Sequence, residues 1–189
     1  TYNGGKYLRE LLDSIWKQTY QEWIIYVSDD GSADDTLHIV KEYQQAHPDK
    51  IVNITDQTHI LRKDDANSKR DGQVNGALGA CRNFLSTLIA EETNSADYYM
   101  FADQDDVWHP DKIEQSVKKM REMEEEAEQV PLLVHCDSRV VDEKLRLIAN
   151  SYTAYLQMDQ QNHRFPHLLL QNIVTGGGTL INRTLRNMV

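Results

Sequence analysis

The chain has little of what staples, anchors or divides a polypeptide. Only two residues are cysteine, Cys81 and Cys136, which excludes a disulfide-stapled secreted scaffold and predicts two unlinked thiols in a reducing compartment. Proline occurs four times and glycine nine in 189 residues, and no Pro/Gly-rich linker, internal repeat or low-complexity tract interrupts the sequence. Residues 1–189 therefore read as a single domain. No apolar run approaches ~18 residues, which excludes a membrane-spanning helix, and the opening TYNGGKYLRE lacks the basic-then-apolar pattern of a signal peptide. Basic residues are in deficit, 20 against 30 acidic, for a net charge of −10. That sign argues against nucleic acid as a partner, which requires a basic surface. Part of the acidic excess is local, in REMEEEAEQ (121–129), and reads as a solvated helix face. The remainder, 40 % hydrophobic and 26 % charged, is the composition of a globular protein.

What is present is an alternation of helix-period and strand-like segments. Leu8, Leu11, Leu12, Ile15 and Trp16 share one helical face. EWIIYVSDD (22–30) reads as a buried strand running into acidic residues, and Ser32 to Asp35 as the N-cap of a helix reaching about His47. KIVNIT (50–55) is a short strand before a long polar stretch from Asp56 to Asn75, a length usually reserved for function. A third helix carries Leu78, Cys81, Leu85, Leu88 and Ile89 on its apolar face. DYYMFAD (97–103) is a strand, and Pro110 opens a helix whose inner face is Ile113, Val117 and Met120. PLLVHCD (131–137) is a strand and SRVVDEKLRLIA a hairpin turning near Asp142 to Lys144. A short helix around His167 to Leu170, a strand near Gly177 to Ile181 and a helix start at Asn182 complete the chain. Trp16 and Trp23 read as packing residues. This order implies an α/β fold, Rossmann-like, with a mostly parallel sheet, helices on both faces and ligands at the carboxyl ends of the strands. Strands 22–29, 50–55 and 97–102 are expected in one sheet, with Asp30 and Asp105 on the same edge. No strand precedes the first helix and the last helix stops after two turns, so the fold is expected to be truncated at both ends.

Four constellations carry chemistry. Asp103, Asp105 and Asp106 crowd three carboxylates into four positions after an apolar strand, where they repel one another unless a cation or donors neutralise them. Asp103 and Asp105 suit a hard divalent ion, Mg2+ or Mn2+, completed by diphosphate oxygens. Asp106 equally suits entry into the helix at Pro110. In Val27-Ser28-Asp29-Asp30-Gly31-Ser32, Gly31 and Ser32 read as turn and cap residues, and one of Asp29 and Asp30 is left for a base N–H or a ribose hydroxyl. Gly76 to Asn83 joins a small-residue helix start to Arg82; the dipole and the guanidinium suit a diphosphate, although Arg82 could equally pair with a surface carboxylate. Thr175-Gly176-Gly177-Gly178-Thr179 permits close backbone approach to a ligand.

Together these segments resemble the family 2 glycosyltransferases of the GT-A fold. The resemblance lies in TYNGGKYLRELLDSIWKQTY, VSDDGSADDT, GALGACRNF, FADQDDVWHPDKIE, LLVHCDSRVVDE and QNIVTGGGTLINR, in the family's order over nearly the whole chain. Gln104 and Trp108 look most like the branch of rhamnosyltransferase-like enzymes of bacterial surface polysaccharides. The resemblance implies an inverting transfer from a UDP- or dTDP-linked sugar to a saccharide or lipid-linked hydroxyl. It implies that Thr1, Tyr2 and Asn3 approach the nucleotide, that Asp29 or Asp30 contacts base or ribose, and that Arg82 lies near the nucleotide. Asp103 would touch ribose or metal, Asp105 would ligate the metal, and Gly176, Gly177 and Gly178 would border sugar and acceptor. The family's catalytic base is expected beyond Val189. The implied location is the cytoplasm, or the inner face of the membrane as a peripheral protein. Two alternatives remain open on residues alone: a dehalogenase-like phosphoryl-transfer enzyme using an Asp-x-Asp pair, and a nucleotide-binding module without turnover.

Overall fold

The computed structural model describes residues 1–56, 76–93, 95–127, 129–158 and 173–189. The polar stretch from 57 to 75 and the helix expected around His167 to Leu170 lie outside the described residues. The elements, in order, are α1 (Leu8–Trp16), β1 (Ile25–Val27), α2 (Thr36–Ala46), β2 (Ile51–Asn53), α3 (Gly76–Ile89), β3 (Tyr98–Met100), α4 (Lys112–Glu126), β4 (Leu133–His135), β5 (Val140–Val141), β6 (Leu147–Ala149), α5 (Tyr152–Tyr155), β7 (Thr179–Asn182) and α6 (Arg183–Arg186). A 3-10 turn, Gly176–Gly178, leads directly into β7. The α/β class is as expected.

β1 and β2 pair in parallel, Ile25 opposite Ile51. β7 runs between β3 and β4, antiparallel to both, and β5 with β6 forms the expected hairpin. The three early strands do not share one sheet: β1 and β3 are not hydrogen-bonded neighbours. An apolar cavity of about 690 Å3, lined by Leu12, Val27, Tyr99 and Leu180 among others, lies between them. Their carboxyl ends nevertheless meet at one place, because α1 packs across both sheets. Its Leu8, Leu11, Leu12 and Ile15 join Val27, Ile51, Ile113, Val117 and Leu180 in a single core cluster.

Helix α1 also fixes the segment after β3 through polar groups. Ser14 Oγ accepts from Trp108 N at 2.9 Å. Buried Gln18 donates to His109 O at 2.7 Å and accepts from Ile113 N at 3.0 Å. These bonds satisfy one of the orphan amides at the start of α4 and set where that helix begins. It begins at Lys112, with Asp111 in the N-cap position, not at Pro110.

Several expected boundaries shift for identifiable reasons. Helix α2 begins at Thr36, not near Ser32, because Asp34 Oδ1 accepts from Thr36 N at 3.0 Å while Ser32 is engaged elsewhere. On α3, Leu88 is buried with Asn83 and Ser86, whereas Cys81, Leu85 and Ile89 face outward; the apolar stripe expected there is not the packed face. Trp16 leaves the core face of α1 to stack on His47 at 3.8 Å and meet Trp23 edge-on at 5.4 Å, which keeps both tryptophans in packing roles. Both cysteines are free thiols.

The corrected burial has a measurable consequence. Met120 is 0 % exposed and Leu85 41 %. Truncating Met120 to alanine is expected to cost about 2–5 kcal/mol, and Leu85 to alanine well under that. Urea unfolding of the two variants checks the ordering; equal losses would restore the apolar face read from the sequence.

Candidate functional site

The loop before α1 and the turn after β1 are bound together. Asn3 N donates to Ser32 Oγ at 2.8 Å, and Asn3 Oδ1 accepts from Ala33 N at 2.9 Å. Gly4 N and Gly5 N donate to Thr36 Oγ1 and Asp34 Oδ2. Asn3 itself sits at φ 47°, a left-handed conformation that asparagine tolerates better than most residues. Thr1 N donates to Ser28 O at 2.6 Å, and Asp30 N donates to Thr1 O at 2.8 Å. This is the bonding pattern of a parallel bridge about Asp29, and it places Thr1 and Tyr2 beside the acidic end of β1.

The two aspartates after β1 have separate tasks. Asp29 is 1 % exposed and accepts from Thr1 Oγ1, Gly31 N, Ser32 N and Ser32 Oγ. Burial works against its charge, but bonds from Ser32, Thr1 and Gly31 outweigh that and hold the carboxyl below its ordinary range. It is a turn-building residue. Asp30 instead lines a second cavity, of about 470 Å3, with Thr1, Tyr2, Gly79, Asn83, Asp103, Gln104 and Asp105. Thus the acidic ends of β1 and β3 open on the same space.

Around the acidic triplet, Asp105 is exposed while Asp103 and Asp106 are half-buried. Burial, and then the Asp105 charge, push the Asp103 carboxyl up, opposed by a hydrogen bond from the Gly177 backbone. Burial pushes Asp106 up to about 6, with Asp103 and Asp105 adding to it and Lys112 opposing. Asp106 does not cap α4. It abuts the glycine turn instead: a β-carbon built on Gly177 would lie 2.4 Å from Asp106 Oδ2 and 2.9 Å from Asp103 Oδ2. A side chain there would have to displace both carboxylates. The turn therefore borders the triplet on the Asp106 side and does not line the 470 Å3 cavity.

Of the residues singled out in the sequence, Thr1, Tyr2, Asp30, Asp103 and Asp105 line the cavity, whereas Arg82, exposed on α3, does not. Asn83 takes the place beside it. Its side chain accepts from Ser28 Oγ at 2.6 Å and donates to Ser28 O at 2.9 Å, which ties α3 to β1. Two further residues had no site role in the sequence reading. Gln104 clasps the Tyr2 backbone, accepting from its N–H at 2.8 Å and donating to its carbonyl at 2.9 Å. Lys112 donates to Gly177 O at 2.6 Å. A cation in the first turn of a helix opposes the dipole, and that was the available signal for Lys112.

The sequence profile of glycosyl transferase family 2 matches residues 1–184. The chain belongs to this family. The GT-A assignment of its α/β fold follows from that membership. It is 35 % identical over 117 residues to the dTDP-rhamnosyl transferase RfbG of Shigella flexneri, covering 62 % of this chain and 35 % of that protein. It is 28 % identical over 151 residues to chondroitin synthase of Escherichia coli, covering 80 % and 18 %. To the putative teichuronic acid biosynthesis glycosyltransferase TuaG of Bacillus subtilis it is 25 % identical over 122 residues, covering 65 % and 40 %. A crystal structure of S. aureus TarS with UDP aligns at TM-score 0.45 and 21 % identity, over 82 % of this chain and 42 % of that one. The family 2 chain thus spans about a third of the length of RfbG.

The Asp29 assignment predicts a pH signature. A carboxyl whose folded pKa is depressed contributes stability above its unfolded pKa and loses it as pH falls through the folded value. Asp29→Asn is therefore expected to cost about 1–3 kcal/mol near neutral pH, with the gap to wild type closing below about pH 4. Denaturant melts across pH 3–7 measure it. A gap that persists unchanged at pH 3 would remove the carboxylate from the turn's stability.

Proposed function

We propose that this family 2 chain carries the donor site of an inverting glycosyltransferase, which moves a sugar from a nucleoside-diphosphate sugar to an acceptor hydroxyl. The observation that carries this reading is the meeting of Thr1, Tyr2 and Asp30 with Asp103 and Asp105 around one 470 Å3 cavity. The base and ribose would lie toward Asp30 and Tyr2, where a carboxylate accepts a ring N–H or a ribose hydroxyl and an exposed aromatic ring offers a stacking face. The diphosphate would then lie toward Asp103 and Asp105. The identity to RfbG favours a dTDP-linked donor of the rhamnose type over a UDP-linked one. The likeness to TuaG, of teichuronic acid biosynthesis, and to chondroitin synthase favours a saccharide acceptor. Family membership leaves the dehalogenase-like alternative without support.

Two carboxylates facing a diphosphate need a cation. Among the described residues no three His, Cys, Asp or Glu side chains converge as a closed metal cage. The donors present fit the other arrangement, a Mg2+ or Mn2+ held by one or two carboxylates with phosphate oxygens completing the shell. Asp105 is exposed to the cavity, and Asp103 is pushed up by burial and by the Asp105 charge, a repulsion that such an ion relieves. When bound, the ion would stabilise the charge of the leaving nucleoside diphosphate. The protein's share is to hold the diphosphate in line with the anomeric carbon so that the acceptor attacks from the opposite face.

Calorimetric titration of dTDP and UDP, with Mn2+ and then with chelator, tests the reading. Asp105→Asn is expected to weaken Mn2+-dependent binding at least about tenfold, and Asp103→Asn less, without loss of folding. Asp30→Asn is expected to weaken binding in chelator as well, since its contact is with base or ribose. Indifference of the wild type to chelation would remove the metal, and binding without release of dTDP from dTDP-rhamnose would favour a module without turnover.

A further inference from the structure

Lys112 occupies an uncommon place for a lysine. Its ammonium lies 4.0 Å over the face of buried Trp108 and donates to Gly177 O at 2.6 Å. Above it the glycine turn rests on carboxylates: Asp103 Oδ2 and Asp106 Oδ2 both fill the space a side chain on Gly177 would need. On the far side, Cys136 N donates to Gly178 O at 3.0 Å, and Cys136 O leaves Gly178 no room for a β-carbon, at 2.7 Å. The turn is thus gripped from three directions, and Lys112 is the cationic grip. Trp108, which supports the ammonium, is itself held by Ser14 of α1. The lysine is thereby tied to the core and cannot follow the turn if it lifts.

We propose that Lys112 is a positioning residue for sugar transfer. It holds the Gly176–Gly178 turn down on Asp103 and Asp106, and its charge offsets those two half-buried carboxylates before any cation arrives. This rests on the glycosyltransferase reading above. Two effects of opposite sign follow from one side chain. The bond to Gly177 O seats the turn against the Asp106 side of the acidic triplet, next to the cavity that Asp103 and Asp105 line, and supports turnover. The charge acts on Asp103, one of the two carboxylates proposed for the ion, and so weakens ion binding.

The test compares Lys112→Met and Lys112→Arg in the full-length protein carrying Cys81→Ser, at pH 8. Lys112→Met is expected to lower kcat for dTDP release from dTDP-rhamnose by about 10–100-fold with KM nearly unchanged. The same variant is expected to bind Mn2+ alone about threefold tighter or more, because a nearby positive charge is gone. Cys136 is expected to be alkylated faster, because the turn that covers it lifts. Lys112→Arg keeps charge and donor and should restore all three readouts to within about threefold of the parent. A merely structural lysine would lower Mn2+ affinity and turnover together, in step with thermal stability; that outcome overturns the proposal, as does unchanged kcat with intact Cys136 protection or a lifted turn with unchanged kcat. If the parent neither binds dTDP nor releases it from the sugar nucleotide, the glycosyltransferase reading fails separately. The Mn2+ and Cys136 readouts then still decide whether Lys112 seats the turn and offsets the acids.

Discussion

Three carboxylates at the end of one short strand are the constraint around which the molecule is arranged. Asp103, Asp105 and Asp106 would repel one another and lose hydration together, and burial already pushes Asp103 and Asp106 up. The fold answers with separate neighbours for each. Asp103 receives the Gly177 amide, Asp106 lies in the field of Lys112, and Asp105 is left exposed to the cavity. Held this way the three acids face separate neighbours, an arrangement that suits the cation proposed above.

The same segment organises the rest of the site through bonds that are local in space and distant in sequence. Gln104, between two of the acids, clasps Tyr2, and Tyr2 belongs to a loop that is bonded to the turn after β1. Ser14 and Gln18 of α1 hold Trp108, His109 and Ile113. The two sheets are therefore linked less by strand pairing than by one helix and a set of side-chain-to-backbone bonds. The buried ones, from Ser14, Gln18 and Gly4, specify geometry because their polar groups would otherwise be left unsatisfied.

Much of the site was legible in the residues. Carboxylates after apolar strands mark ligand edges in α/β folds, and the clustering of Asp103 to Asp106 cannot be explained by capping alone. The division of labour between Asp29 and Asp30 was not legible, since adjacent aspartates carry the same chemistry and only the donors around Asp29 distinguish them. Arg82 looked suitable by type and by helix position, but the rotation of α3 turns Asn83 toward β1 and leaves Arg82 outside the cavity lining. The place of Asp106 was not legible because a carboxylate near Pro110 has a ready local use, while its actual neighbour, Gly177, is far along the chain.

The sequence by itself determined the class of fold, the approximate place of most of the strands and helices though not of α5, the core face of α4 and, Trp16 apart, of α1, and the acidic ends of β1 and β3. All of these follow from periodicity, turn residues and charge, which act between near neighbours. Tertiary structure alone decided that β7 inserts antiparallel between β3 and β4, that β1 and β3 meet at their ends without pairing, and that Gln104 and Lys112 serve the site. Those outcomes depend on which distant backbone groups need a partner once the core is packed, and no local pattern records them.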